Sequence, residues 1–152
     1  MKVVVNNQYG GFELSNEAVK QLVLREAKCV KVMTLIQYYG GDDRTKPCYQ
    51  ENWENKWLKD KKEFVDIGDG FWGHPRGFNI YKGGCLYQFD DDYPNKNNRA
   101  DPTLVEVVKD LKSKANGKCA TLKIVNIPKG VEWVVEEYDG LEWIAETHRT
   151  WP

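Results

Sequence analysis

The sequence predicts an α+β fold, in which a mixed or antiparallel sheet is packed by two or three helices and ends in a C-terminal β-meander. Short segments rich in β-branched and aromatic residues recur between turns that contain glycine or asparagine, which is typical of strands. Segments with apolar residues at helical spacing interrupt them, and two of these follow a capping residue. The chain has 152 residues, the size of one domain, so we expect residues 1–152 to form a single domain.

The N-terminal elements are a strand, a helix and a second strand. Lys2–Val5 is rich in β-branched residues and predicts the first strand. Paired glycines in the segment 9–12 end it, because glycine adopts the dihedral angles of tight turns. Ser15 is a predicted N-cap for a helix that ends near Ala27. Cys29–Tyr39 is dense in Val, Ile, Thr and Tyr and predicts the second strand.

The middle of the chain predicts a helix, short strands and a loop. The segment 51–64 places Trp53 and Trp57 on one side and lysines on the other, which favours a helix. Short strands are predicted over Val65–Ile67, Phe78–Tyr81 and Cys85–Phe89, with a hairpin turn at Lys82-Gly83-Gly84. Asp90–Ala100 is acidic, rich in asparagine and without periodicity, so we expect a loop there.

The C-terminal third predicts a helix followed by the meander. Asp101 is placed to cap a helix that has Pro102 at its first position, and apolar residues at helical spacing continue to Ala115. Three strands are predicted to follow, over Lys118–Ile127, Val131–Tyr138 and Leu141–Glu146. Asp139-Gly140 between the last two is a strong hairpin signal.

Charge and composition exclude several classes of function. The chain has 22 basic and 23 acidic residues, so its net charge of −1 lacks the basic excess of a protein that binds phosphate backbones. We therefore expect no duplex nucleic acid partner. The N-terminus has no apolar signal segment, and no stretch reaches the roughly 18 apolar residues of a membrane span. We expect a cytoplasmic protein that has reduced thiols and no membrane contact.

The cysteines and histidines do not predict a metal site or a catalytic centre. The four cysteines form no C-x-x-C pair, which argues against structural zinc. Either histidine, His74 or His148, could meet a cysteine as nucleophile and base, but chance pairings are expected with so many cysteines. The acidic residues lack EF-hand spacing, and we expect Glu132, Glu136 and Glu142 on the solvent face of a sheet. The sequence thus favours a protein without catalytic residues or cofactor.

A glycine-rich segment over 68–77 is the strongest candidate for a binding loop. Glycines allow a backbone to approach a ligand closely, Phe71 and Trp72 can stack on a base, and His74 can donate or accept a hydrogen bond. Arg76 can grip a phosphate or carboxylate with two hydrogen bonds. The sequence favours a surface loop whose aromatic side chains fold back on the core, and the ligand-binding loop is the alternative interpretation.

The last residues of the chain are of types that a free tail seldom carries. His148-Arg149-Thr150-Trp151 places an arginine beside a tryptophan at a position where most domains fray. We expect this tail to dock on the fold or on another subunit, which leaves a homo-oligomer open.

Two blocks of sequence carry a resemblance to a known family. The first contains Lys2-Val3-Val4-Val5-Asn6 and Tyr9-Gly10-Gly11-Phe12-x-Leu14-Ser15. The second begins at Arg99 and contains Asp101-Pro102-x-Leu104-Val105, Ile124-Val125-x-Ile127-Pro128, Val131-Glu132-Trp133, Glu136-Glu137-Tyr138-Asp139-Gly140, Glu142-Trp143 and His148-Arg149-Thr150-Trp151. Together they resemble a family of small, functionally uncharacterised proteins encoded by tailed phages and prophages, over about half the chain.

The resemblance implies an accessory role in phage biology, where small proteins often counter host defence. One class acts as a sponge that sequesters a nucleotide immune signal, such as an ADP-ribose derivative or a cyclic nucleotide, and this is the first expectation. Its ligand-binding residues would be Phe71, Trp72, His74, Arg76 and Arg99, with the two arginines on phosphate or carboxylate and Trp72 stacking. The alternative is a protein-binding inhibitor of a host defence protein, which needs an exposed aromatic patch. A nucleotide-degrading enzyme comes third.

Overall fold

The computed structural model describes residues 1–34, 65–73 and 79–147, and in them strands and helices form an α+β fold. The strands are β1 (Lys2–Asn6), β2 (Val30–Thr34), β3 (Val65–Gly68), β4 (Phe71–Gly73), β5 (Ile80–Lys82), β6 (Cys85–Phe89), β7 (Leu122–Asn126), β8 (Trp133–Tyr138) and β9 (Leu141–Glu146). The helices are α1 (Asn16–Leu24) and α2 (Pro102–Leu111), with 3-10 turns over Asn97–Ala100 and Lys112–Ala115. The predicted α+β class is confirmed, and the pairings between these strands are antiparallel.

Four predicted features fall wholly or partly outside the described residues. They are the second half of the strand after Thr34, the helix over 51–64, the glycine-rich segment over 74–77 and the tail over 148–151.

The β1–β7 ribbon is the middle layer of the fold. β1 and β7 pair from Lys2 opposite Asn126 to Asn6 opposite Leu122. Val4 packs with α1 and α2 in the main core, whereas Val3 and Val5 point the other way and pack with Val135 of β8. Both faces of β1 are therefore covered, which explains the uninterrupted apolar run Val3-Val4-Val5 at its centre.

Capping residues begin both helices where the sequence predicts them. The Ser15 hydroxyl accepts a hydrogen bond from the Ala18 N–H at 3.1 Å, and the Asp101 carboxylate accepts one from the Thr103 N–H at 2.7 Å. These bonds satisfy backbone donors that have no partner inside the helix. Helix α2 ends at Leu111, and a 3-10 turn completes the predicted segment to Ala115.

A five-stranded antiparallel sheet, in the order β2-β6-β5-β4-β3, packs against α1. Phe71, Ile80, Tyr87 and Phe89 line the face towards the helix and join the main core. The opposite face carries the row Trp72, Tyr81, Leu86 and Met33, which lie opposite one another in successive strands.

The glycine-rich segment begins as a hairpin and not as the predicted loop. Gly68, Asp69 and Gly70 all have positive φ angles, of 88°, 57° and 79°, and form the turn between β3 and β4. Two glycines make this turn accessible because they carry no Cβ to clash. The chain then continues as strand β4. Residues 74–78 lie outside the described part of the chain.

The predicted meander forms only in part. β8 and β9 make the predicted hairpin around Asp139-Gly140, with Trp133 opposite Glu146 and Tyr138 opposite Leu141. β7 does not extend this hairpin, because its partner is β1 at the other end of the chain. The hairpin instead packs face to face on the β1–β7 ribbon through a second apolar cluster that includes Trp133 and Ile144.

Candidate functional site: the outer face of the C-terminal hairpin

A buried ion-pair cluster holds the β8–β9 hairpin on the body of the fold. The guanidinium of Arg99, which is 1% exposed, donates two hydrogen bonds to the Glu142 carboxylate of β9, at 2.8 and 3.0 Å. Its other edge bonds Asp91 through Nε and through Nη2, the latter at 3.1 Å, and its plane lies 3.3 Å from the centroid of the Phe12 ring. Lys96 adds a second cation, 3.5 Å from Glu142. Arginine suits this position because its planar fork can bind two carboxylates at once.

Backbone contacts at the hairpin turn complete this attachment. The Asn6 side chain donates to the Gly140 carbonyl at 2.7 Å, and the Asn6 N–H donates to Glu142 Oε2 at 2.8 Å. The Gly10 N–H donates to the Asp139 carbonyl at 3.2 Å. A Cβ on Gly140 would lie 2.1 Å from the Gly11 nitrogen, so the two backbones touch at a distance that only glycine permits. The hairpin is therefore fixed at its tip as well as along β9.

Strand alternation divides the side chains of the hairpin between two faces. Val135, Glu142 and Ile144 point inwards, towards the β1–β7 ribbon and the ion-pair cluster. The alternate positions form the other side, which we call the outer face; it consists of Val134, Glu136, Tyr138, Leu141, Trp143 and Ala145. Five of these six side chains are apolar or aromatic, so the outer face is unusually apolar for the solvent side of a hairpin.

Two aromatic side chains dominate the outer face. Tyr138 is 71% exposed and Trp143 is 42% exposed. The Trp143 indole N–H donates to Glu136 Oε2, its cross-strand neighbour, at 2.9 Å. This bond orients the indole ring and holds one carboxylate at its edge. Clustered exposed aromatic groups of this kind mark surfaces that bind other molecules.

The hairpin is strongly acidic. The segment 130–147 contains six acidic residues and no lysine or arginine. Of the 23 acidic residues in the chain, 17 are then left for the other segments, which hold all 22 basic residues. The net charge of the protein is thus the sum of a negatively charged hairpin and a positively charged remainder. The hairpin carries a negative potential.

A shallow cleft of about 170 Å³ lies beside the ion-pair cluster. Its apolar lining comes from Phe12, Leu14, Val19 and Phe89, and its polar lining from the carboxylate residues Glu13 and Asp91. A phosphate group binds best beside positive charge, and the residues that line this cleft include two carboxylates and no cationic side chain.

Comparison of the chain with protein-family models, with curated proteins and with solved structures found no match. The physical properties of the described surface therefore carry the functional proposals below.

The structure separates the residues that the sequence predicts for ligand binding. Phe71 is 2% exposed and packs edge-on against Tyr87 in the core, with a centroid distance of 5.9 Å. Trp72 is 36% exposed on the opposite face of the same sheet. Arg99 lies against Phe12, which stacks on the Phe89 ring of the helix-facing side, so the sheet stands between Arg99 and Trp72. His74 and Arg76 fall outside the described residues.

The expectation that Glu142 lies on the solvent face is wrong, since this residue is 5% exposed and bonded to Arg99. Glu132 and Glu136 are exposed as expected. The burial of Glu142 could have been predicted from the alternation of side chains along a strand. Residues 142 and 144 point to the same side, and Ile144 packs against the second apolar cluster. The exposure of Tyr138 and Trp143 follows from the same alternation.

Cys29 is the most shielded of the described thiols. It is buried in the main core, and burial together with the neighbouring Asp101 carboxylate raises the pKa of its thiol well above the usual range. The thiolate is the reactive form, so Cys29 is a poor nucleophile at neutral pH.

We expect iodoacetamide at pH 8 to alkylate the exposed Cys119 and to leave Cys29 unmodified in the native protein. Peptide mass spectrometry measures both, and the same reaction in 8 M urea should modify both sites, which controls for peptide detection. Native labelling of Cys29 at the rate of Cys119 would contradict this structural role.

Neither a metal centre nor a membrane span is found within residues 1–34, 65–73 and 79–147. No group of three or more His, Cys, Asp or Glu side chains there is placed to hold a metal ion. No helix in these ranges has the length and apolar character needed to cross a membrane.

Proposed function

We propose that the protein binds another protein through the outer face of its C-terminal hairpin and that it acts as an inhibitor of a host defence protein in the host cell cytoplasm. The observation that carries the proposal is the exposed pair Tyr138 and Trp143 on a strand face whose other residues, except Glu136, are apolar. The phage context comes from the sequence resemblance. Inhibition by binding requires no catalytic residues, only a surface that occludes its target.

The composition of the outer face suits a protein interface. Tyrosine and tryptophan dominate binding energy at such interfaces, since they bury a large apolar area and keep a polar atom for a hydrogen bond. Leu141, Val134 and Ala145 surround them and would exclude water. The exposed carboxylates Glu132 and Asp139, which flank β8, would form a polar rim.

The attachment of the hairpin supports the same role. Arg99, Asn6 and Gly140 hold the hairpin from the inner side and from the turn, so the outer face is presented by a rigid element. A surface that is ordered before binding loses less conformational entropy on association, which favours affinity.

Replacing both Tyr138 and Trp143 with serine in one variant should abolish partner capture and leave folding intact. Neither side chain belongs to an apolar core cluster, so the free energy of unfolding should fall by no more than about 1 kcal/mol per substitution, the size of one cross-strand pair. The wild-type protein and the double variant are each immobilised and incubated with host lysate. Proteins retained only by the wild type are identified and purified, and their activity is assayed with the wild-type protein present at equal concentration. The proposal expects one discrete protein whose activity falls.

Leu24→Ser is the matched control, because Leu24 is an exposed apolar residue on α1, across the β1–β7 ribbon from the hairpin. This variant should retain the partner. If the double serine variant captures the same protein as the wild type, the outer face is not the binding surface.

A nucleotide sponge is the second candidate. It is favoured by Trp72, which is 36% exposed and directly precedes the segment with His74 and Arg76. A thermal-shift screen against cyclic nucleotides and ADP-ribose derivatives tests it, because a ligand at 100 times its Kd should stabilise the fold by about 2.7 kcal/mol. A shift that Trp72→Ala removes, with the ligand recovered intact, supports the sponge. A recovered cleavage product supports the third candidate, a nucleotide-degrading enzyme, and the absence of any shift eliminates both for these ligands.

A further inference from the structure

We infer that the partner surface docked on the outer face is basic and that it places an arginine guanidinium on the Trp143 indole, beside the Glu136 carboxylate. This inference rests on the proposed protein-binding function and names the chemistry of the partner. It follows from the distribution of charge over the hairpin and from the geometry of the Glu136–Trp143 pair.

The charge of the hairpin selects against an acidic or phosphate-bearing partner. All six charged side chains in the segment 130–147 are carboxylates. Like charges brought together at an interface are costly, whereas complementary charges accelerate encounter and fix orientation. The occupant that fits is therefore a cationic one.

Part of this negative charge is neutralised from the inner side, and part is left facing outwards. Glu142 is bound by Arg99, and Lys96 lies 2.9 Å from Glu137 and 3.5 Å from Glu142. Glu136 lies on the outer face, where its cross-strand neighbour is Trp143 and its immediate surroundings are apolar. Glu136 thus brings an exposed charge to the centre of an aromatic surface.

The Glu136–Trp143 pair has the geometry of a receptor for a planar cation. The indole N–H bonds Glu136 Oε2 at 2.9 Å, which sets the carboxylate at the edge of the ring and leaves Glu136 Oε1 as a further acceptor. A guanidinium above the indole can interact with the ring and donate to that carboxylate in the same pose. An ammonium group makes the charge contact but lacks the flat surface that stacks on an indole.

The Arg99 site is an example, inside this chain, of a guanidinium that lies over an aromatic ring and bonds carboxylates. Arg99 lies over the Phe12 ring while donating to two carboxylates. On the outer face Trp143 supplies the ring and Glu136 the carboxylate, and the cation is the part that a partner would bring.

The test uses the full-length protein and a short peptide, N-acetyl-tetra-arginine amide, as the probe. Two-dimensional NMR titration at low salt should shift the Trp143 indole resonance and the backbone amides of β8 and β9. Glu136→Gln and Trp143→Ala should each weaken the Kd by about fivefold, the effect of losing one exposed cation–π or charge contact. Glu106→Gln removes an exposed carboxylate from α2 and should leave the Kd unchanged, which controls for net charge.

Tetra-lysine amide should bind several-fold more weakly than tetra-arginine amide, and tetra-glutamate should not bind. Equal affinity for the lysine and arginine peptides, shifts that map away from the hairpin, or an unchanged Kd in Glu136→Gln would each overturn the inference. A partner protein that is captured through Tyr138 and Trp143 while tetra-arginine fails would preserve the proposed function and refute only its basic chemistry. If no protein is captured through Tyr138 and Trp143 and tetra-arginine does not bind, both the proposed function and this inference are refuted.

Discussion

Replacing Arg99 with alanine is expected to lower the free energy of unfolding by about 3–5 kcal/mol, because the substitution removes both short bonds to the buried Glu142 carboxylate and leaves it only the more distant cation of Lys96. The side chains of Arg99 and Glu142 are each only 1% exposed, and the two bonds between them are 2.8 and 3.0 Å long. The guanidinium also fills the space over the Phe12 ring, so its removal opens a void next to the core. Urea unfolding monitored by circular dichroism measures the loss.

Arg25→Ala is the control for this experiment. Arg25 also pairs with a carboxylate, Asp110, at 2.9 Å, but both side chains are substantially exposed. A solvent-exposed pair contributes about 1 kcal/mol or less, so this variant should unfold close to the wild type. Equal small losses in Arg99→Ala and Arg25→Ala would contradict the view that the buried cluster anchors the hairpin.

Arg99→Lys distinguishes charge from geometry at the same position. Lysine keeps the positive charge but cannot donate to Asp91 and Glu142 from the two edges of a planar group. We expect it to restore part of the stability lost in Arg99→Ala.

Substituting Gly140 with alanine is expected to separate the hairpin turn from the N-terminal segment. The added Cβ would lie 2.1 Å from the Gly11 nitrogen and 2.8 Å from the Gly10 nitrogen. These are backbone atoms, which cannot move aside as a flexible side chain would. Displacement of the turn would also weaken the bond between Asn6 and the Gly140 carbonyl.

Gly130 provides an internal control with the same φ angle. Gly130 and Gly140 both have φ of 83°, but a Cβ on Gly130 meets no atom within 4 Å. Gly130→Ala therefore measures the conformational strain alone, about 1–2 kcal/mol. Gly140→Ala should cost about 1–3 kcal/mol more, the usual range for overpacking. Equal melting temperatures for the two variants would show that the close approach at the turn does not hold the hairpin.

Local signals in the sequence predicted the elements, and non-local pairing determined how they assemble. Ser15 and Asp101 mark the helix starts because capping depends on atoms two or three residues away. Asp139-Gly140 marks the hairpin turn for the same reason. The partner of β7 is separated from it by more than a hundred residues, so adjacency in sequence favoured β8 although β1 is the true partner.

The candidate site was only partly predictable for a related reason. The six tryptophans of the chain indicate an aromatic surface or an aromatic core, and composition does not distinguish them. Phe71 and Trp72 are neighbours in the sequence, yet one lies in the core and the other on the opposite face, since alternate residues of a strand point in opposite directions. Arg99 lies in a segment without periodicity, and nothing local indicates that its partner is Glu142.

Site-specific photo-crosslinking in living host cells tests the central claim most directly. A benzophenone amino acid is placed at Ala145 on the outer face and, in a second strain, at Leu24 on α1. Binding through the outer face predicts a discrete crosslinked protein from position 145, which disappears when Tyr138 is changed to serine, and none from position 24. The same crosslinked species from both positions, or none from position 145, would contradict a protein interface on the hairpin.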